Sequence, residues 1–174
     1  MSLVDLFLTW WLRSGRYPWS RLRRKLFEGR YFTAAVPAAN SLEEILECLL
    51  QVHWTGDGPL HLYDSISYPQ TVWATKKDDC DGFAVLAAEL LRRWSVESSP
   101  VLVTVMVRPA QQSHTVCVFK HNGNLWYFSN WELRQGDFHS YQDIVAQVTG
   151  SDKKLVCWDV VAPDTLETLE FHTA

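Results

Sequence analysis

The sequence predicts an α+β domain, with helices in its first half and an antiparallel sheet in its second. Apolar residues recur at helical spacing as far as about residue 94, and β-branched residues dominate the short segments that follow residue 100. An Asn-Gly pair at 122–123 separates two such segments, and this pair is the strongest short-range signal of a β-hairpin. A chain of 174 residues can bury a sizeable core, so we expect a single domain over residues 1–174.

The first helices follow from spacing and capping residues. Helical spacing covers residues 2–14 and 19–28, and Gly15 and Pro18 predict a break between these two helices. Ser41 begins a capping box, Ser-Leu-Glu-Glu, which opens a third and amphipathic helix.

The charge of the chain is distributed unevenly. Residues 1–30 carry seven Arg and Lys side chains against two acidic ones, although the whole chain has a net charge of −4. We expect a basic helical extension over residues 1–40 whose arginines neutralise the acidic remainder of the domain. Basic helices also suit a nucleic acid, a protein partner or a membrane surface, so residues 1–30 are a candidate docking segment.

The middle of the chain combines an irregular segment with a long helix. Residues 60–79 show no clear period and lead directly into Cys80, so we expect them to form one wall of a groove. Residues 80–94 have the broad apolar stripe of a central, largely buried helix. The remaining pattern predicts strands at 100–107, 115–119, 125–131 and 155–162, with a short helix at 140–148 and no assignment for 163–174.

The four cysteines are widely spaced and contain no C-x-x-C pair, which disfavours a zinc ribbon or a disulfide framework. Three of them, Cys48, Cys117 and Cys157, lie among apolar neighbours and are expected to be small buried hydrophobes. Residues 3–12 are apolar but short, so they predict neither a secretory signal nor a membrane span. We therefore expect a cytoplasmic protein, and the pattern says nothing about oligomeric state.

Cys80 is the most informative residue because it lies where an acidic loop becomes the apolar pattern of a helix. Unpaired backbone N–H groups and the positive end of the helix dipole stabilise a thiolate at this position. The neighbouring carboxylates Asp78, Asp79 and Asp81 are interpreted as helix caps rather than as metal ligands. Cys80 is thus a candidate nucleophile, and we expect neither a metal nor a cofactor.

An imidazole and a carboxamide follow the thiol in the chain. His114 opens one strand of the predicted hairpin, and Asn130 lies on the partner strand. Pairing about the Asn-Gly turn brings His114 opposite about position 131, so Asn130 is close enough to orient the imidazole. Ser129 and Asp137 are alternatives for the orienting group if the register differs. A thiol, an imidazole and an orienting group are the parts of a cysteine acyl-transfer site.

At these residues the chain resembles the transglutaminase-like branch of the papain-like cysteine enzymes. The first block is Asp-Asp-Cys-Asp-Gly-Phe-Ala at 78–84, and the second is Ser-His-Thr-Val-Cys-Val at 113–118. The third block is Gly-Asn-Leu-Trp at 123–126, leading to Asn130. The resemblance covers about residues 60–135.

The resemblance implies a papain-like fold, in which the nucleophile-bearing helix packs on an antiparallel sheet, and a triad of Cys80, His114 and Asn130. Papain-like enzymes bind the oxyanion with a glutamine side chain and transglutaminases with an indole N–H, which makes Gln70 and Trp73 the candidate donors. The chain departs from the pattern at Asp78, where glycine is usual, and at Thr115, where an aromatic residue is usual.

The implied activity is that of a cysteine-dependent hydrolase or acyltransferase that cleaves an amide, peptide or isopeptide bond through a thioester. A protein or peptide is the expected substrate. The alternative is a catalytically silent binding module, in which a transglutaminase-like scaffold is kept for its groove and the basic N-terminal helices dock a partner.

Overall fold

The computed structural model describes residues 2–31, 33–56 and 65–174, and these form an α+β fold. The helices are α1 (Leu3–Trp10), α2 (Arg16–Phe27), α3 (Leu42–Leu50), α4 (Pro69–Thr75), α5 (Cys80–Trp94) and α6 (Tyr141–Thr149). The strands are β1 (His53–Trp54), β2 (Lys77–Asp78), β3 (Val101–Arg108), β4 (His114–His121), β5 (Asn124–Ser129), β6 (Glu132–Phe138), β7 (Lys154–Val161) and β8 (Thr168–Thr173).

Six strands form one antiparallel sheet in the order β6-β5-β4-β3-β7-β8, and β1 and β2 form a separate parallel pair. Helix α5 packs on one face of the large sheet, where Leu86 and Leu90 belong to the same buried cluster as Cys117 and Phe119. Helix α6 covers the other face through Ile144 and its neighbours. The sheet therefore lies between two helical layers, which confirms the predicted α+β class.

The helices and turns with the clearest sequence signals lie where the sequence predicts them. Helix α5 has the predicted bounds, because Asp79 caps its first turn and an apolar stripe runs along it. The Asn122–Gly123 turn connects β4 and β5, and both residues have positive φ angles, 49° and 82°. Ser41 caps α3 by accepting from the Glu44 N–H, but the Glu44 carboxylate accepts from the backbone of Asn40 rather than completing the predicted box.

The predicted break at Gly15 and Pro18 is wrong. A wide turn with i→i+5 hydrogen bonding spans Trp11–Gly15, and the Arg16 N–H donates to the Trp11 carbonyl, so the helix continues from α1 into α2. Pro18 provides no N–H for the next regular bond, and the wider turn accommodates this loss. Gly15 leaves room for the ring of Trp11, which a Cβ at this position would meet.

The N-terminal helices belong to the core rather than forming an appended arm. Leu8, Leu12 and Tyr17 are buried in the same cluster as α5. Residues 57–64, which include the beginning of the predicted groove wall, lie outside the described residues. The remainder of that segment is not irregular, because α4 and β2 occupy most of it. No helix within the described ranges is long and apolar enough to cross a bilayer.

Candidate active site

Cys80 is the first residue of α5, as the sequence predicts. The Asp79 side chain caps the helix by accepting from the Asp81 N–H at 3.1 Å. Cys80 is half-buried, and its Sγ lies 4.0 Å from Asp81 Oδ1. The thiol therefore combines access to solvent with the positive end of a 15-residue helix.

The carboxylate beside the thiol is neutralised from the N-terminal helices. Arg16 and Asp81 form an ion pair in which each side chain is 1% exposed. The same guanidinium donates to Thr104 Oγ1 at 2.9 Å and to Thr115 Oγ1 at 3.3 Å. This arginine thus offsets a negative charge that would oppose formation of a thiolate at Cys80.

A second buried carboxylate extends this network. The Tyr17 hydroxyl donates to Asp159 Oδ2 at 2.7 Å, and both side chains are buried. Burial raises the pKa of Asp159 to about 7, against the lowering effects of the Tyr17 hydrogen bond and of Arg16. The helix that carries Cys80 therefore packs against a buried network of hydrogen bonds and charges. The spacing of apolar residues in the sequence does not predict this network.

His114 opens β4 and lines the same cavity as Cys80. The β4–β5 register pairs Cys117 with Phe128 and His121 with Asn124, which is the register predicted from the Asn-Gly turn. Within this hairpin, His114 Nε2 lies 2.9 Å from Ser129 Oγ. Nε2 is therefore the ring nitrogen that Ser129 engages, and Nδ1 is the other ring nitrogen.

Cys80 and His114 approach the cavity from different sides of the sheet. Val116 and Val118 pack in the cluster under α6, so alternation along β4 assigns His114 to that side as well. Cys80 begins the helix on the opposite face. The cavity also takes in the loops at residues 110–113 and 150–153, beyond the ends of the strands, and there both residues line it.

The charge state of His114 is set mainly by burial. Burial lowers the pKa of His114, the Asp81 carboxylate raises it, and the Lys153 ammonium lowers it further. Because Asp81 also lies beside Cys80 Sγ, the imidazole and the thiol share one electrostatic neighbour. The ring is therefore neutral near pH 7 and can accept a proton.

Asn130 lines the cavity with Cys80 and His114, but it is Ser129 that contacts the imidazole. Asn130 adopts a left-handed backbone with φ of 52°, in the turn between β5 and β6. Its Oδ1 is buried and accepts no hydrogen bond from the described residues. Ser129 was predicted only as an alternative to Asn130, because one step along a strand decides which side chain meets the ring.

Neither expected oxyanion donor is among the residues that line this cavity. Gln70 lies at a separate cavity together with Arg24 and Glu89. Trp73 packs against the core, with Lys76 over its ring. The missed candidate is Trp54, which lines the cavity because β1 pairs with β2 immediately before Cys80. Trp54 was missed because β1 has only two residues, which is too short for a strand periodicity to be detected.

The cavity has a volume of about 860 Å³ and is lined mainly by apolar groups. Val4, Phe7, Leu8 and Trp11 of the N-terminal helices form one wall. Lys153 and Asp152 lie at another side. Such a space suits a ligand with an apolar group and a polar or charged end.

The other cysteines differ from Cys80 in their surroundings. No disulfide joins the four cysteines, all of which lie within the described residues. Cys117 and Cys157 are buried, and burial raises the pKa of both thiols, to about 11 for Cys157. Cys48 is only half-buried, contrary to expectation, and burial raises its pKa as well. Cys80 is the cysteine that combines partial exposure with a helix N-terminus.

Asp79, Cys80 and Asp81 each offer one ligand atom within 4.8 Å of the others. The Asp79 carboxylate caps α5 and the Asp81 carboxylate pairs with Arg16. Both carboxylates therefore have structural partners at the start of α5.

Cys80, at a helix N-terminus, thus lines one apolar cavity together with the imidazole of His114 and the indole of Trp54. A thiol, an imidazole and a hydrogen-bond donor are group types from which cysteine acyl-transfer sites are built. Neither the models of known protein families nor the curated protein sequences match this chain.

Proposed function

We propose that the protein is a cysteine-dependent hydrolase or acyltransferase that acts on an amide, peptide or isopeptide bond. The observation that supports this proposal is that Cys80, at the start of α5, and His114, at the start of β4, line one cavity. A protein or peptide is the proposed substrate. We also propose that the fold is papain-like, since a helix begins with the candidate nucleophile and packs on an antiparallel sheet that carries the imidazole.

In the first step, His114 Nδ1 takes the proton from the Cys80 thiol, and the thiolate attacks the carbonyl carbon of the substrate. The new C–S bond forms a tetrahedral intermediate, and its collapse expels the amine after His114 returns the proton to the nitrogen. Water or a second amine then attacks the thioester, and the thiol is regenerated. The chemistry uses only groups that line the cavity.

The oxyanion of this intermediate needs donors near Cys80. We propose the backbone N–H of Cys80, at the first turn of α5, as one of these donors. We propose the indole N–H of Trp54 as the second donor, in place of Gln70 or Trp73, because Trp54 lines the cavity.

The orienting group is proposed to be Ser129, with Asn130 beside it. The Ser129 hydroxyl lies 2.9 Å from His114 Nε2, whereas Asn130 Oδ1 accepts no hydrogen bond from the described residues. Replacing each residue by alanine separates their roles. A loss of activity in Ser129→Ala alone assigns the orientation to the hydroxyl, and a loss in Asn130→Ala alone restores the Cys-His-Asn triad.

The test is the reactivity of Cys80 toward iodoacetamide, followed by peptide mass spectrometry. We expect Cys80 to react faster than Cys48, which is also half-buried, and His114→Ala to slow Cys80 labelling near pH 7. His139→Ala is the matched control, because His139 is exposed and does not line the cavity. Equal labelling rates at Cys80 and Cys48, or no effect of His114→Ala, overturn the proposal.

A second assay tests acyl transfer itself. With p-nitrophenyl acetate, the Cys80 thiolate attacks the carbonyl carbon, p-nitrophenolate leaves, and a thioester remains on Sγ. We expect acetylated Cys80 in the wild type and none at this position after Cys80→Ala. Its absence from the wild type argues against a nucleophilic thiol.

The rival interpretation is a binding module, which the exposed apolar and basic surface of α1 and α2 favours. In that case Cys80→Ala leaves partner binding and all measured activity unchanged. Deleting residues 1–30 is not a clean test, because it removes Arg16 and Tyr17 from the buried network.

A further inference from the structure

The N-terminal helices expose a set of large apolar side chains that the core does not use. The exposed members are Leu3, Val4, Leu6, Phe7, Trp10, Trp19, Leu22, Leu26 and Phe27. Elsewhere in the described residues, exposed large apolar side chains are scattered singly over separate elements, as Leu50, Val96 and Leu169 are. An apolar surface of this kind marks an interaction site.

These side chains follow one another along α1 and α2. Leu3, Leu6 and Trp10 follow the spacing of one face of α1. Between Trp10 and Trp19 the exposed side chains are Arg13, Ser14 and Pro18, so the apolar row is interrupted there. It resumes on α2 at Trp19, Leu22 and Leu26. The exposed apolar side chains of the two helices together are called the apolar stripe.

The charges that border the stripe are all positive among the described residues of this segment. Its acidic residues, Asp5 and Glu28, are buried and paired with Arg108 and Arg23. The exposed basic residues of the segment are Arg13, Arg21, Lys25 and Arg30. An apolar stripe with aromatic residues and a basic border is typical of helices that lie in a membrane interface.

We propose that α1 and α2 bind the surface of an anionic lipid bilayer, with the apolar stripe inserted between headgroups and the basic residues facing the lipid phosphates. Each basic residue near such a surface adds to the attraction. A second copy of the chain suits this face less well, because a twofold interface sets the same patch against itself and brings like charges together.

The docking orientation has a consequence for the cavity. Val4 and Phe7 are exposed on α1 and also line the cavity that contains Cys80. A bilayer that covers α1 therefore lies beside the mouth of this cavity. The docking proposal does not depend on the chemistry of Cys80, and its test can fail or succeed independently.

The test is cosedimentation of the full chain with phosphatidylcholine vesicles in which about a third of the lipid is phosphatidylserine, compared with vesicles of phosphatidylcholine alone. We expect binding to the anionic vesicles, weakened by added salt. The variant Leu6→Ser with Trp10→Ser is expected to reduce partition by about tenfold or more. Neither residue lines the cavity, so an unchanged Cys80 alkylation rate shows that this variant is folded.

Two matched controls separate this surface from general effects. Leu50→Ser with Leu169→Ser removes apolar side chains of similar exposure, 58% and 56% against 47% and 55%, and is expected to bind like the wild type. Lys25→Glu is expected to weaken binding more than Lys120→Glu, which changes the net charge equally.

Three results overturn the proposal. The first is that neither type of vesicle binds the protein. The second is concentration-dependent self-association in analytical ultracentrifugation that Leu6→Ser with Trp10→Ser abolishes, because this assigns the stripe to a second copy. The third is stronger binding to a mixed-sequence oligonucleotide than to the anionic vesicles, because this assigns the basic border to nucleic acid.

Discussion

Arg16 of α2 and Asp81 of α5 form a buried ion pair directly beneath the turn that carries Cys80. The two residues are 65 positions apart in the chain. Their contact fixes the N-terminal helices to the start of α5. It also means that the basic character of the N-terminal segment is partly structural.

Breaking this pair is expected to destabilise the fold strongly. Arg16→Met leaves the Asp81 carboxylate buried without its counter-ion, which costs about 3–5 kcal/mol. Lys25→Met is the control, because Lys25 is exposed on the same helix, and its effect is expected to stay within about 0.5 kcal/mol. Urea unfolding measures both changes. Similar free energies of unfolding for the two variants would show that the pair contributes little.

Gly82 is expected to tolerate no side chain. A Cβ at this position would overlap Cβ and Cγ of Asp78, which lies against the first turn of α5. We expect Gly82→Ala to lower the free energy of unfolding by about 1–3 kcal/mol through overpacking. Gly29→Ala is the matched control, because a Cβ at Gly29 meets nothing within 4 Å. An equally small effect of both substitutions in thermal unfolding would contradict this packing.

His114 is expected to titrate below its ordinary value of 6.5, because burial lowers its pKa. At pH values between the pKa of His114 in the folded protein and its value of 6.5 in the unfolded chain, the unfolded chain binds more protons. The stability that depends on neutral His114 is therefore present above pH 6.5 and is lost as the pH falls through the folded pKa. Removing the nearby charge with Lys153→Met is expected to raise the pKa of His114. Lys154→Met is the control. NMR titration of the imidazole protons measures both, and a wild-type pKa at or above 6.5 is the contrary result.

Asp159 is expected to give the opposite dependence on pH. Burial raises its pKa from 3.8 to about 7, so the folded protein binds the extra proton in this interval. Its contribution to stability is therefore present below pH 3.8 and is lost as pH rises toward 7. Asp159→Asn keeps an acceptor for Tyr17 and should become progressively more favourable, relative to the wild type, as pH rises. The exposed Asp137→Asn serves as control, and parallel stability curves for wild type and Asp159→Asn would refute the shift.

The elements that the sequence predicted well are those with strong local signals. Helix α5 has a cap, a stripe and a basic end within one segment, and the Asn122–Gly123 turn sets the register of its hairpin. From these two features the proximity of Cys80, His114 and Asn130 to one cavity could be anticipated. The local sequence was sufficient to predict this proximity, because each of these residues lies at or next to the end of a helix or strand.

The missed features depend on contacts between distant segments. Strand β6 was not predicted, because this edge strand is mostly polar and its buried side is weakly marked. The pairing of Arg16 with Asp81 has no local signature in either helix. Trp54 reaches the cavity only because β1 pairs with β2 across a long stretch of chain. The choice between Ser129 and Asn130 depended on the local backbone at a turn, where Asn130 leaves the extended conformation.

The indole of Trp11 lies where a Cβ at Gly15 would be, and the same indole lines the cavity that contains Cys80. A single methyl group added at Gly15 would push this ring out of place. Ligand preference in the cavity is thus adjustable from a backbone position that no ligand touches. Variation at this glycine would alter the shape of the cavity through the Trp11 ring, without replacing any residue that lines it.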